Sequence, residues 1–403
     1  MRQDLARRAI VLFAFISSGL VAQNPAFAGA ERTPRFERVV IDADFPGGYQ
    51  VEVADVNGDG KLDVVGVGGG TCAWYENPSW KKRIVSTSSQ TPGIISSATA
   101  DIDGDGKAEI VIAHDFGMNE PVHGRIVLAT QGSDPEGAWT IKPIADVGSA
   151  HRLRWGDVDG DRRLDLIVAP IFGPDAKAPT YNQSAARIQV FYTGADPKSG
   201  QWRAETVGER PVLHSIKVLD FDGDGRSEIL TADNLGVALF DREAGQNGAW
   251  HCRPLVSGAP GEAPKRGSSE IHVGRRADSS RFLATLEPWH GNEVAVYPAN
   301  GDTTFGPRQV LDSTLKDGHA LWVADVDGDG DDEIFAGFRG PGTSVYVFDF
   351  DGKTWIRTVL DSDIAAQDLR GGDLDGDGTP DVVAIGGQTH NVVWYRPIRG
   401  QKR

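Results

Sequence analysis

Apolar and polar positions alternate in short runs along this chain, punctuated by Gly, Asp and Asn, and this pattern predicts strands throughout. The runs recur in a fixed order. A first strand, such as Leu321–Ala324, enters an acidic loop, and a second, such as Asp381–Ile385, leaves it. A third carries aromatic residues, as in Ala73–Tyr75, Arg187–Tyr192, Val237–Phe240, Val345–Phe348 and Val392–Tyr395. A fourth opens near Trp80, Trp139, Trp202, Trp250, Phe305 or Trp355.

Six acidic loops set the period. Each reads Asp-x-Asp/Asn-x-Asp-Gly-x-x-Asp/Glu, with starts at 55, 101, 157, 220, 325 and 373. The 105-residue step from 220 to 325 is two units long, so a seventh unit that has lost its loop lies near 270–298. The last unit stops after its third strand, at Tyr395. Its missing fourth strand is supplied from the start of the chain, because Phe36–Asp42 matches Trp355–Asp361. These features predict an all-β fold, a seven-bladed β-propeller whose N-terminal strand closes the last blade and shelters the strand edges.

Oxygen ligands at alternate loop positions, with Gly at the sixth, suit a hard cation such as Ca²⁺. The candidate ligands are Asp55, Asn57, Asp59 and Asp63; Asp101, Asp103, Asp105 and Glu109; Asp157, Asp159, Asp161 and Asp165; Asp220, Asp222, Asp224 and Glu228; Asp325, Asp327, Asp329 and Glu333; and Asp373, Asp375, Asp377 and Asp381. Arg162 stands where the third loop should have Gly, and a Cβ there opposes the positive φ usual at that position. The ligand positions of the loops hold 23 of the 57 acidic residues, which accounts for much of the net charge of −16. That charge disfavours nucleic acid or an anionic membrane as partner.

Residues 1–28 read as a secretory signal, with Arg2, Arg7 and Arg8 ahead of an apolar core and Ala26-Phe27-Ala28 at the cleavage site. The expected mature protein, 29–403, is a single monomeric propeller, secreted or periplasmic, with no membrane span. Cys72 and Cys252 fall in distant repeats and are expected to be free buried thiols.

The nine histidines are unevenly placed. His151, His214 and His319 each lie six residues before a loop Asp, with Tyr49 and Gln367 at the matching positions of other units. His114, His123, His290 and His390 lie at second-to-third turns, on the same face and opposite the acidic loops. His251 and His272 fall outside this group. Three residues before the loops come Glu52, Ala98, Arg154, Lys217, Trp322 and Arg370, whose natural place is the axial channel. Arg152 is placed to bind an anion, and Tyr181 and Trp289 to stack on a sugar.

Loop, period and closure together resemble the FG-GAP/VCBS repeat family, which includes the integrin-α propeller; the resemblance implies Ca²⁺ in the loops. The blocks His151–Gly160, Val168–Pro174, Glu287–Asn292, Gly318–Asp325 and Thr389–Tyr395 resemble secreted microbial propellers related to carbohydrate lyases. Two groups are similar, the propeller part of aldos-2-ulose dehydratases and the rhamnose–glucuronate lyases. The resemblance implies β-elimination on a uronate-containing glycan or keto-sugar. His114 and His123 would then be acid and base. His151, His214, His319 and Tyr49 would line the pocket or hold a further metal such as Zn²⁺. Arg152, Arg154, Tyr181, Trp289, His290 and His390 would contact substrate. The competing expectation is a non-catalytic, Ca²⁺-dependent propeller that binds a glycan or protein. No G-x-S-x-G, H-E-x-x-H or P-loop motif is present to decide between them.

Overall fold

The computed structural model describes residues 34–398 except 133, 135–136 and 246–247; the signal expected over 1–28 lies outside the described residues. It contains seven four-stranded antiparallel sheets, one per blade. The innermost strands of blades 1 to 7 are Gly48–Ala54, Ser96–Ala100, Ala150–Gly156, Ser215–Leu219, Glu270–Arg275, Gly318–Ala324 and Ala366–Gly372. Each contacts the innermost strand of the next blade, and the seventh returns to the first. The ring is therefore closed, a seven-bladed propeller as predicted. Among the described residues no helix is long and apolar enough to cross a membrane.

Strand composition follows position in the blade. Second strands such as Asp63–Gly68 and Asp381–Gly386 are buried along their whole length, because neighbouring blades cover both faces. Outermost strands such as Lys81–Ser86 are partly exposed. Seven apolar clusters fill the seven gaps between blades; one, for example, joins Ile95, Val111 and Leu128 of blade 2 to Leu153 and Val168 of blade 3. Each fully buried Val, Leu or Ile contributes about 2 kcal/mol. An eighth, smaller cluster of Ile171, Phe172, Ala176, Val212 and Trp289 caps the histidine face.

Arg35–Asp42 pairs antiparallel with Asn391–Ile398, Arg38 opposite Tyr395. The likeness of this strand to Trp355–Asp361 extends to its contacts. The Tyr395 hydroxyl donates to Asp361 at 2.6 Å, and the Tyr75 hydroxyl donates to Asp42 at the same distance. Arg38 adds a bond to Asp361 at 2.8 Å, and Lys82 one to Asp42 at 2.8 Å.

Both cysteines are free, but only Cys72 is buried. Cys252 is exposed because it lies on the outermost strand of blade 4, which faces solvent.

Candidate functional site

The six acidic loops share one backbone scaffold. The leading Asp accepts two amides across the turn: Asp55 takes those of Gly58 and Gly60, both at 2.8 Å. The closing carboxylate reaches back to the second residue, as in Glu228 to Phe221 N at 2.7 Å and Glu333 to Val326 N at 2.9 Å. Arg162 adopts φ 69°, the left-handed conformation that glycine takes in the other loops. In the loops starting at 157, 220 and 325 three carboxylate oxygens lie within 4.8 Å of one another. Burial, and then the neighbouring carboxylates, push Glu333 up to about 10, Asp165 to about 8 and Glu228 to about 7. Glu333 also keeps a buried oxygen without a partner. This donor set fits a divalent hard cation. The second loop brings Asp101, Asp103 and Glu109 equally close. There the Lys198 ammonium, carried by the short turn Pro197–Ser199, lies 2.7 Å from Asp103, 2.8 Å from Asp105 and 3.1 Å from Glu109. That ammonium competes with a metal for these oxygens.

On the opposite face the innermost strands carry a repeated irregularity. Pairing shifts register at Gly48/Gln50, Ala150/Arg152, Gly318/Ala320 and Ala366/Asp368. Tyr49, His151, His319 and Gln367 are thus the extra residues of four β-bulges, and a bulge re-aims the side chain it carries. Here three of these side chains converge. The Tyr49 hydroxyl lies 2.8 Å from His151 Nε2 and 3.3 Å from His319 Nε2. His214 enters from blade 4, its ring centroid 5.0 Å from those of both His151 and His319. His290 enters from the Glu287–Asn292 turn at φ 46°, and its Nε2 is 3.2 Å from His214 Nε2.

Second contacts orient the rings. His319 Nδ1 lies 2.6 Å from the Gln367 carbonyl, and His214 Nδ1 lies 3.1 Å from the Ser269 carbonyl and 3.0 Å from Glu270. A proton on Nδ1 is thereby favoured, leaving Nε2 with its lone pair toward the axis. Burial holds His151, His290 and His319 well below the usual imidazole range and lowers His214. Nearby cations add to this, Arg152 beside His151 and Arg339 beside His319. Glu270 is buried, yet the His214 hydrogen bond and the Arg152 charge hold it down to about 2. His214, His290 and His319 each present a nitrogen within 4.8 Å of the others. Three imidazoles with converging nitrogens, two of them with Nδ1 held by an acceptor, fit Zn²⁺ or a similar divalent metal.

Other expected site residues fall elsewhere. His114 is buried at the end of the second strand of blade 2, beside Asp115 and Arg125, with Nδ1 unpartnered. His123 is half-exposed on a loop, 3.5 Å from Glu120. His390 is exposed, and its carbonyl accepts the Phe45 amide. Among the described residues no hydrogen bond or ring contact joins these three to the axial cluster. Their strand ends and turns lie farther from the axis than the innermost strands. Arg152 does belong, 3.3 Å from Glu270 and 5.6 Å over the Tyr49 ring. Arg154 sits one layer deeper. Tyr181 stacks on Phe172 at 4.6 Å and meets the edge of Trp289, which is buried against His290. A cleft of about 450 Å³, lined in part by Val122, Phe172, Arg187 and Glu209, opens on this face beside that aromatic group.

Three residues were not singled out from the sequence. Glu270 and His272 lie on the innermost strand of blade 5, which has no acidic loop from which to count register. His272 thus faces the channel and does not stand apart. Arg339 donates to Gln367 at 2.8 Å and reaches His290 Nδ1 at 3.2 Å.

Residues 123–300 match the profile of the aldos-2-ulose dehydratase beta-propeller domain, and residues 55–112 match the FG-GAP-like repeat. The chain is 26% identical over 349 residues to aldos-2-ulose dehydratase of Phanerodontia chrysosporium, covering 76% of this chain and 38% of that protein. It is 27% identical over 271 residues to rhamnogalacturonan exolyase YesX of Bacillus subtilis (strain 168), covering 55% of this chain and 44% of that one. The chain thus spans about two fifths of the length of these curated relatives. Among solved structures, an Agrocybe aegerita lectin that recognises non-reducing terminal N-acetylglucosamine superposes with a TM-score of 0.52 at 18% identity, covering 79% of this chain and 81% of that one. Rhamnogalacturonan lyase YesW superposes with a TM-score of 0.50 at 15% identity, covering 91% and 76%. The two structures share the fold.

Proposed function

We propose that this chain is a carbohydrate lyase that performs β-elimination on a uronate-containing glycan or keto-sugar at the mouth of the axial channel. The observation that carries this reading is the Tyr49–His151 pair, at 2.8 Å, set beside three neutral imidazoles and the Arg152 cation. The relatives above are a sugar dehydratase and a polysaccharide lyase, in keeping with this chemistry.

His151 Nδ1 is held by the His214 carbonyl at 3.2 Å, so its Nε2, which also faces the Arg152 guanidinium at 3.2 Å, takes the Tyr49 proton. The phenolate oxygen then removes the proton α to the substrate's carbonyl or carboxylate. The C–H electron pair forms the new double bond as the β C–O bond breaks, and Tyr49 returns the proton to the departing oxygen. Arg152 places positive charge where the enolate develops. His214, His290 and His319 would hold a divalent metal, which supplies Lewis-acid polarisation of the same carbonyl. Calcium in the loops starting at 55, 157, 220, 325 and 373 staples the blade hairpins on the far face, and the leader over 1–28 directs export.

The test is ultraviolet absorbance of unsaturated sugar products, using a panel of uronate glycans and keto-sugars. Rising absorbance that is lost in Tyr49→Phe supports the reading. Glycan binding without turnover across the panel replaces it with a binding propeller.

A further inference from the structure

One layer below the histidines the channel wall carries more positive than negative charge. Glu52, Arg154, Lys217 and Arg370 each precede a loop Asp by three residues, so they line the axis at one height; Ala98 and Trp322, at the matching positions, were expected there too but pack into the apolar cores between blades. His272 joins them from blade 5, its Nε2 3.1 Å from Lys217 Nζ. The Lys217 ammonium donates to that nitrogen, which leaves the ring proton on Nδ1, buried and without a partner.

Partners on this layer are unequal. Arg370 bonds Asp368 at 2.7 Å. Among the described residues Arg154 bonds only the Leu153 carbonyl, at 2.6 Å, and Lys217 only His272. Glu52 is engaged by neutral groups, the Ser97 hydroxyl and the Thr99 amide. With the Arg152–Glu270 pair above, four cations face three carboxylates. Arg154, Lys217 and Arg370 each keep some accessible surface although they sit on innermost strands. A charge enclosed in protein needs a counter-charge or must neutralise.

We propose that the axial channel holds one small monovalent anion of the chloride class, bound between Arg154, Lys217, His272 and Arg370. All four present N–H donors and none an acceptor, so a cation does not suit the space. In the anion's absence burial and the neighbouring guanidinium groups lower Lys217 to about 7, and neutral lysine is the competing solution.

Crystals of the full-length protein in sodium bromide should show an anomalous peak on the axis within hydrogen-bond distance of Lys217 Nζ. In solution the melting temperature should rise saturably as chloride replaces gluconate at constant ionic strength. Lys217→Met leaves three cations facing three carboxylates. It should lose both the peak and the chloride response while melting in gluconate no lower than wild type. An axis without bromide, a peak without a saturable chloride effect, or an unchanged chloride response in Lys217→Met overturns the proposal. If that variant fails to fold, the wild-type peak and titration decide alone.

Discussion

The Nε2 atoms of His214 and His290 face each other at 3.2 Å. Both rings are held toward neutrality by burial, and with His319 they bring three ring nitrogens within 4.8 Å of one another. A metal shared by the three would take the place of the hydrogen bond between His214 and His290. Purified protein is expected to carry about one equivalent of a transition metal by elemental analysis, beyond any calcium. His214→Ala and His290→Ala should each lower metal content well below half an equivalent. Full metal content in the double variant would refute the site.

The acid–base work is assigned to Tyr49 and His151. Tyr49→Phe and His151→Ala are expected to lower kcat by about 10² to 10⁴ with little change in melting temperature. His123→Ala, on an exposed loop, should change kcat by less than about threefold. If His123→Ala, and not Tyr49→Phe, abolishes turnover, the chemistry lies out on the loops.

Without metal, Asp63 and Asp381 titrate near 6, Glu228 near 7, Asp165 near 8 and Glu333 near 10, chiefly through burial. In the unfolded chain such groups titrate near 4. A raised folded pKa adds stability that is complete below about pH 4 and is lost as pH climbs through the folded values. In chelator the melting temperature should therefore fall between pH 5 and 8. Calcium needs the deprotonated carboxylates, so its stabilising shift should grow over the same range. A calcium effect equal at pH 5 and pH 8, by calorimetry, would contradict this.

Lys198 stands in for a metal in the second loop. Lys198→Met removes the ammonium and leaves Asp101, Asp103, Asp105 and Glu109 facing one another. The variant should be less stable than wild type in chelator and bind one more calcium or terbium ion per chain, counted by calorimetric titration. An unchanged stoichiometry would mean that the loop already binds metal or cannot.

The ring was legible in the sequence because each loop must present oxygens at fixed spacing, and that spacing repeats. The closing strand was legible because Asp42 and Asp361 receive the same tyrosine bond, so Phe36–Asp42 had to look like Trp355–Asp361. Height and face were readable for His151, His214 and His319. Distance from the axis was not. His114 and His123 share the face of the cluster but sit on a second strand and a loop, farther out. Strict alternation also misplaces His151, since it and Arg152 should point to opposite sides. The bulge brings both into the channel, and no local residue type announces a bulge. Glu270 and His272 were hidden by the loss of the loop that would have numbered them.

Those bulges separate two jobs that alternation otherwise ties together. The bulged residue in blades 1, 3, 6 and 7 is supernumerary to the ladder, and in blades 1, 3 and 6 its side chain reaches the axial cluster. Tyr, His, His and Gln occupy four structurally equivalent sockets. The scaffold thus behaves as a turret with interchangeable heads, in which a new specificity needs a change of side chain and no change of frame.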